Sequence, residues 1–374
     1  MENRDFIVEK DGKQFVDVVR LLPDRTSEIR EIIKEIERDK VTIYSKIRAR
    51  GKGKGSKKVT VCKLIELDEL FFEGLGLWQA EGGKTKGLYF GNTCVDILER
   101  FLEFVESKLD ISRNDFKAHL ILPKIDKFAE ETKKRWSDLL KIPIVNFTKI
   151  SIKSKTNLEY AHLYFNSEIL VSLMRLFYGE LKSIILMNDK FAAAFMRGVI
   201  AGESQVATKS WGTLSHVSIS SKSLDDVTFY KQCFQCLGIM SGGYQYGPMT
   251  FPIYGKGNFD EMVKSRLMDL HPDKKSKFEN GIASYKRIIT DFKETEKLIL
   301  QQLAEPKTYD ELAKLLRKGR STVQSSYIPR LEKKGLISRI GKRRQAWLFQ
   351  ASYYSSLARF SISSSKSNFL TSSM

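Results

Sequence analysis

Two hydrophobic periods alternate along the middle of the chain, one near 3.6 residues and one of 2, and their succession predicts the elements. Residues 68–80 form a nearly continuous apolar run behind Asp68, a helix-capping residue, and predict a helix. A strand follows at 86–92, after which Leu98, Phe101, Leu102 and Val105 share one face of a helix over 95–109. Strands at 116–122, 147–153 and 159–165, a helix at 124–140 and a closing helix at 167–178 complete this series. A second series opens with a helix from Asp189 through Gly202 and continues with a strand at 216–220, a helix at 224–237, shorter strands and a helix at 259–267. One unit therefore occurs twice in diverged copies, which predicts an α+β protein with internal pseudo-two-fold symmetry.

The flanks have a different texture. Ile29, Ile32, Ile33 and Ile36 recur at helical spacing and predict a short charged helix over 26–38, within an N-terminal arm of residues 1–66. In the same arm Arg48, Arg50, Lys52, Lys54, Lys57 and Lys58 are interleaved with Gly51, Gly53 and Gly55, a composition too flexible and self-repelling to pack. Both a solvated loop and a phosphate-contacting arm satisfy that composition. Toward the C-terminus a helix at 295–304 precedes Thr308-Tyr309-Asp310-Glu311, whose spacing forms a capping box and opens a helix to Leu316. A third helix starts at 319–322 and runs through Lys334, where Gly335 stops it. A strand at 336–340, a basic turn Gly341-Lys342-Arg343-Arg344 and a strand at 346–349 follow, and serine-rich residues 351–374 are expected to be disordered. The expected boundaries are 1–66 for the arm, 67–186 and 187–292 for the repeats, 293–350 for the C-terminal module and 351–374 for the tail.

A net charge of +18, from 63 basic and 45 acidic residues, favours a polyanionic partner such as nucleic acid. The rival polyanion is a membrane surface, but the most apolar stretch, residues 191–202, is interrupted by Arg197 and too short to span a bilayer. Residues 1–5 lack the apolar core of a signal peptide, so an intracellular protein without a membrane partner is expected. The four cysteines are too few and scattered for a disulfide framework. Cys233-Phe-Gln-Cys236 has zinc-ligand spacing but no companion pair, and the plainer expectation places both thiols on the 224–237 helix with one facing the core.

The sharpest chemical signal lies in the opening helices of the two repeats. Phe72-Glu73-Gly74-Leu75-Gly76-Leu77-Trp78-Gln79-Ala80-Glu81-Gly82 and Phe195-Met196-Arg197-Gly198-Val199-Ile200-Ala201-Gly202-Glu203-Ser204 share a small-x-x-x-small-acid pattern. Gly76 and Ala80, like Gly198 and Gly202, are four apart and so lie on one helical face that admits another backbone closely. If these faces meet, Glu81 and Glu203 share one site at two helix C-termini. Each carboxylate is then repelled by a helix dipole and by the other acid, and a divalent cation would reverse the sign. Mg²⁺ or Mn²⁺, held by Glu81, Glu203 and the carbonyls of Ala80 and Gly202, would complete its coordination with water and phosphate oxygens, a set suited to phosphodiester hydrolysis.

These segments resemble the LAGLIDADG homing-endonuclease family, particularly its monomeric two-repeat members, over roughly residues 64–288. The resemblance implies two αββαββα halves joined through the motif helices, a catalytic metal on the acids matching Glu81 and Glu203, and curved sheets lying in the DNA major groove. It further implies an intron-encoded type of enzyme and basic residues near the metal, for which Lys256, Lys153 and Lys155 are candidates, with simple phosphate contacts as their other reading. The sequence departs from the family pattern where Gln79 and Ala201 stand in place of a first acid, where Gly74 replaces the leading leucine and where Ser204 replaces the terminal glycine.

Residues 295–350 carry thirteen basic and five acidic side chains. Their pattern resembles a winged helix-turn-helix, with Arg320, Ser321, Thr322, Gln324 and Ser325 directed at DNA and Lys342, Arg343 and Arg344 on the wing. A protein-binding winged helix is the competing reading. The expected whole is an Mg²⁺-dependent, site-specific double-strand DNA endonuclease, acting as a monomer on a long pseudo-palindromic or asymmetric target. The alternatives are a non-catalytic DNA-binding transcriptional regulator on the same scaffold, and an RNA maturase.

Overall fold

The structure is a computed structural model that describes residues 5–26, 29, 31–45, 57–85, 87–123, 128–152, 158–210, 212–241, 249–284, 292–343 and 346–352. The chain divides into two compact units, Met1–Ala207 with Leu214–Ile282, and Thr208–Thr213 with Ala283–Met374.

The first unit begins with β1 (Ile7–Lys10), β2 (Lys13–Asp17), α1 (Val18–Leu21), β3 (Ile33–Glu37), β4 (Lys40–Tyr44), β5 (Val59–Cys62) and β6 (Leu64–Glu66). They build two three-stranded sheets, ordered β1-β2-β6 and β3-β4-β5. The helix expected over 26–38 is therefore corrected to a strand. Ile29 and Ile32 are buried, but Ile36 is 52% exposed, so the four isoleucines do not share one buried helical stripe. β-Branched residues fit a pleated surface, and β3 pairs with β4 from Ile33↔Tyr44 to Glu37↔Lys40 across a turn at Arg38 and Asp39. Of the basic stretch in this arm, Lys57 and Lys58 are described; Arg48, Arg50, Lys52 and Lys54 lie outside the described residues.

The first series of elements follows as α2 (Glu69–Glu81), β7 (Leu88–Asn92), α3 (Val95–Leu109), β8 (Lys117–Leu122), α4 (Ala129–Leu140), β9 (Phe147–Ile152), β10 (Tyr160–Phe165), α5 (Glu168–Glu180) and α6 (Lys182–Met187). Its sheet runs β7-β10-β8-β9, with β10 antiparallel to both neighbours and β8 parallel to β9. A parallel pair needs a crossover, and α4 lies in it. The four strands are thus separated by α3 and α4 into one, one and two, where the resemblance implied two pairs.

The second series comprises α7 (Asp189–Glu203), β11 (Ser204–Thr208), β12 (Leu214–Ser220), α8 (Leu224–Cys236), β13 (Thr250–Ile253), α9 (Lys256–Lys264) and α10 (Pro272–Ala283), with sheet order β11-β12-β13. The fold is α+β. Strand β11 and helix α10 were not anticipated. Pro272, as the first residue of α10 and followed by Asp273, is the local signal for that helix, since proline at this position loses no helical hydrogen bond.

Helices α2 and α7 pack directly on each other at the centre of this unit. A Cβ on Gly76 would collide with the carbonyl oxygen of Phe195, and one on Gly198 would stand 2.5 Å from the backbone nitrogen of Leu77. Phe71, Phe72, Trp78, Phe177 and Phe195 bury the remaining flanks. Near the other end of the contact Arg197, 6% exposed, crosses the interface to bond Glu73 and Glu69, both at 2.5 Å, while Arg100 also bonds Glu73. An ion pair so desolvated contributes to registration, because sliding either helix would strand a buried charge.

The second unit contains α11 (Phe292–Gln302), β14 (Lys307–Thr308), α12 (Tyr309–Leu316), α13 (Arg320–Thr322), a π-helical turn (Val323–Tyr327), α14 (Ile328–Lys333), β15 (Ile337–Arg343) and β16 (Ala346–Ala351). Ile299, Leu303, Leu312, Val323, Ile328, Leu331 and Phe349 form its own core. Thr308 and Glu311 make the reciprocal capping bonds. Gly341 and the backbone of Lys342 and Arg343 belong to β15 rather than to a turn, and Arg344 lies outside the described residues. Among the described residues no helix is long and apolar enough to cross a membrane.

Candidate active site

Glu81 is the last residue of α2 and Glu203 the last of α7, so the packing of the two helices brings their tips together. A Cβ on Gly202 would lie 2.6 Å from the Ala80 side chain and 2.8 Å from Cγ of Glu81, which shows how little separates the two ends. Glycine at 202 and alanine at 80 make that approach sterically possible.

Electrostatics at this junction oppose ionisation. Burial raises the Glu203 pKa above its ordinary value, and the charge of Glu81 raises it further. Glu81 is open to solvent on one side, yet the protein crowded around its carboxyl also raises its pKa. Lys274 and Lys222 oppose the shift at both acids, and Lys84 does so at Glu203.

Two of these lysines cap the helices that carry the acids. Lys274, from α10, donates from Nζ to the carbonyls of Ile200 at 3.0 Å, Ala201 at 2.8 Å and Gly202 at 3.3 Å. Lys84 donates to the Trp78 carbonyl at the end of α2, with Nζ 3.5 Å from the centre of the Trp78 ring. A cation at a helix C-terminus is favoured by the carbonyl dipoles. Burial nevertheless lowers Lys274 to about 8 and Lys84 to about 7, against the pull of the nearby carboxylates. The site therefore holds two acids reluctant to ionise and two ammonium groups reluctant to stay charged.

Gln79 does not point into free solvent. It donates to Asp226 of α8 at 3.0 Å, and Tyr178 donates to the same carboxylate at 2.5 Å, tying α2 and α5 to α8.

The donors at the junction fit a small divalent ion. They are hard carboxylate oxygens whose mutual repulsion a cation would relieve, placed at two negative helix ends. Among the described residues no group of three or more His, Cys, Asp and Glu side chains forms a metal cluster, so further ligands would be backbone carbonyls, water or a bound phosphate. The Gly202 carbonyl, one expected ligand, accepts from Lys274. Ala80 packs at the contact itself.

The structure places Lys256 elsewhere. It stands at the start of α9, 55% exposed, and pairs with Asp260 of its own helix at 2.7 Å, while the cations acting on the two glutamates are Lys274, Lys222 and Lys84. Lys153 and Lys155 lie outside the described residues. Cys233 is buried on α8, its thiol pushed up by burial, and Cys236 reaches the Leu186 carbonyl at 3.4 Å, so the pair sits on one helix in protein packing. In the second unit Arg320, Ser321, Thr322, Gln324 and Ser325 are all exposed along α13 and the π turn, and Arg320 lies 3.5 Å from Asp310.

No family model matches the chain, and no curated protein matches it. Among solved structures it is similar to full-length DUF199/WhiA from Thermatoga maritima, with 12% identity, coverage of 71% of this chain and 90% of that chain, and a TM-score of 0.36. The N-terminal LAGLIDADG domain of DUF199/WhiA is similar at 12% identity over 59% of this chain and 84% of that chain, with a TM-score of 0.30. I-DmoI in complex with DNA and Ca is similar at 14% identity over 56% of this chain and 96% of that chain, with a TM-score of 0.32, and all three likenesses are distant.

Proposed function

We propose that this chain is a metal-dependent, site-specific double-strand DNA endonuclease of the LAGLIDADG homing type, acting as a monomer with one acid from each repeat. The observation that carries this reading is the meeting of Glu81 and Glu203 at the ends of two interlocked helices, with Lys84, Lys222 and Lys274 around them. Structural carboxylates gain nothing from such a position, whereas a phosphodiester-cleaving site needs it. Glu81 and Glu203 would hold Mg²⁺ or Mn²⁺, which when bound supplies Lewis-acid stabilisation of charge on the scissile phosphate and lowers the pKa of water. Lys84 and Lys274, bonded to the carbonyls at the ends of α2 and α7, would add positive charge beside a bound phosphate without leaving those carbonyls. The net charge of +18 gives the long-range attraction to DNA. In the second unit, which we read as a winged helix-turn-helix, the exposed face of α13 and the π turn would enter a groove and the β15–β16 hairpin would touch backbone.

A second reading, a DNA-binding regulator without cleavage, is favoured by one contact: Lys274 already bonds the Gly202 carbonyl, filling with an ammonium group the position of an expected metal ligand. Incubation of the purified chain with a random-site duplex library and Mg²⁺ or Mn²⁺ separates the two. The enzyme reading expects discrete double-strand cuts that vanish in the Glu81→Gln, Glu203→Gln protein; tight selection of sites with no cuts would leave the regulator.

A further inference from the structure

Helix α10, which the apolar pattern did not predict, sends one side chain into the acid pair. Lys274, Phe278 and Gly281 are spaced by four and three residues and so lie on one face of this helix. Phe278 is buried and meets Phe259 of α9 edge-on, with ring centres 6.0 Å apart and planes at 85°. A Cβ on Gly281 would stand 3.0 Å from Cβ of Leu214, so α10 is seated closely against the start of β12. The helix is thus fixed along the same face that carries Lys274.

Lys274 belongs to the first turn of α10, the positive end of that helix, where an ammonium group is disfavoured. What compensates it lies on α7. An ammonium group has three donors, and Nζ of Lys274 directs them at the last carbonyls of α7, those of Ile200, Ala201 and Gly202, at 3.0, 2.8 and 3.3 Å. Among the described residues its hydrogen-bond partners are these carbonyls and neither carboxylate, although the charges of Glu81 and Glu203 both act on it.

The matching end of α2 is treated differently. In the shared motif Trp78 corresponds to Ile200 and Ala80 to Gly202. Lys84 donates to the Trp78 carbonyl, and among the described residues no lysine bonds the carbonyl of Ala80. Two like helix ends, each with a carboxylate and a carbonyl, would each draw a divalent ion. The end of α7 already has its cation, and a doubly charged ion placed beside that ammonium group would be repelled.

We propose that Lys274 is a built-in cation standing where a divalent ion would otherwise bind at the end of α7, so that the acid pair admits one Mg²⁺ or Mn²⁺, on Glu81, Glu203 and the Ala80 carbonyl, and excludes a second. This rests on the metal-binding part of the function proposed above. The test counts ions and does not depend on cleavage. The full chain, free of DNA, is titrated with Mn²⁺ alone, and the unbound ion is read from its electron paramagnetic resonance signal. Ions whose binding is lost on adding Glu81→Gln, Glu203→Gln are those of the acid pair. The unaltered chain should bind one such ion, and Lys274→Met, which keeps an apolar stem without the ammonium group, should bind two. Lys222→Met is the control for charge alone. Lys222 acts on both acids, and among the described residues it bonds no carbonyl of α7, so its removal should tighten the one site without adding another. If Lys274→Met unfolds early in thermal melts, Lys274→Gln, whose amide keeps two donors and no charge, is counted instead. One ion in the Lys274 variant, or two in the unaltered chain, would overturn the proposal and leave a metal-dependent nuclease intact. No ion at the acids in any of these proteins would remove both.

Discussion

Glu203 is held where its charge is unwelcome, and this has a sign that can be measured. Its folded pKa is raised above the ordinary 4.5, first by burial and then by Glu81. The stability carried by the protonated form is complete below the unfolded pKa and is lost as pH rises through the raised folded value. Glu203→Gln removes that loss. In EDTA the variant should melt above the unaltered protein at pH 8, by about 2–4 °C for each kcal/mol recovered, and the gap should close near pH 4. A gap independent of pH would mean that Glu203 ionises freely. Both glutamates were legible in the sequence because a helix end, a small-residue face and an acid are local features. Lys274 was not, because its role depends on a chain reversal that brings α10 back to the end of α7, and Lys256 looked equally suitable until its pairing with Asp260 was known.

At the scale of elements, the α2–α7 contact should be the least forgiving part of the molecule. Gly198→Ala must displace the backbone of α2, so equilibrium unfolding should show a loss of about 1–3 kcal/mol or more. Gly179→Ala on α5, where nothing lies within 4 Å of the added Cβ, should be neutral or stabilising by up to about 1 kcal/mol and serves as the control. Similar values for the two variants would show that the helices are not interlocked. Arg197→Met strands part of the charge on Glu73, which keeps Arg100, so a loss of about 3 kcal/mol is expected. Adding Glu73→Leu should recover much of it in a double-mutant cycle. Helices α2 and α7 were readable from apolar periodicity and glycine spacing. β3 was not, because isoleucines at 29, 32, 33 and 36 satisfy a helical period as well as they satisfy strand preference, and the choice fell to pairing with β4.

For the whole molecule the decisive quantity is charge. DNA affinity should fall linearly with the logarithm of salt concentration, with a slope that counts phosphate contacts at about 0.9 per contact. Arg320→Ala in the second unit should reduce that slope by about 1 and weaken binding to all sequences alike, as measured by anisotropy titrations over a range of KCl concentrations. If the slope is unchanged while preference among sites shifts, Arg320 reads a base instead.

The sequence alone determined the helices that begin at Asp68 and Asp189, their two small-residue faces, the acids that end them and the capping box of Thr308, since each is encoded by residues within a turn or two of one another. Tertiary structure decided the rest. It inserted β10 between β7 and β8, made β8 and β9 parallel, laid Tyr160 over Gly91, and chose Lys274 and Lys84 as the cations of the acid pair. These outcomes depend on which distant segments meet, and a local pattern of apolar and polar residues specifies which face is buried without specifying what buries it.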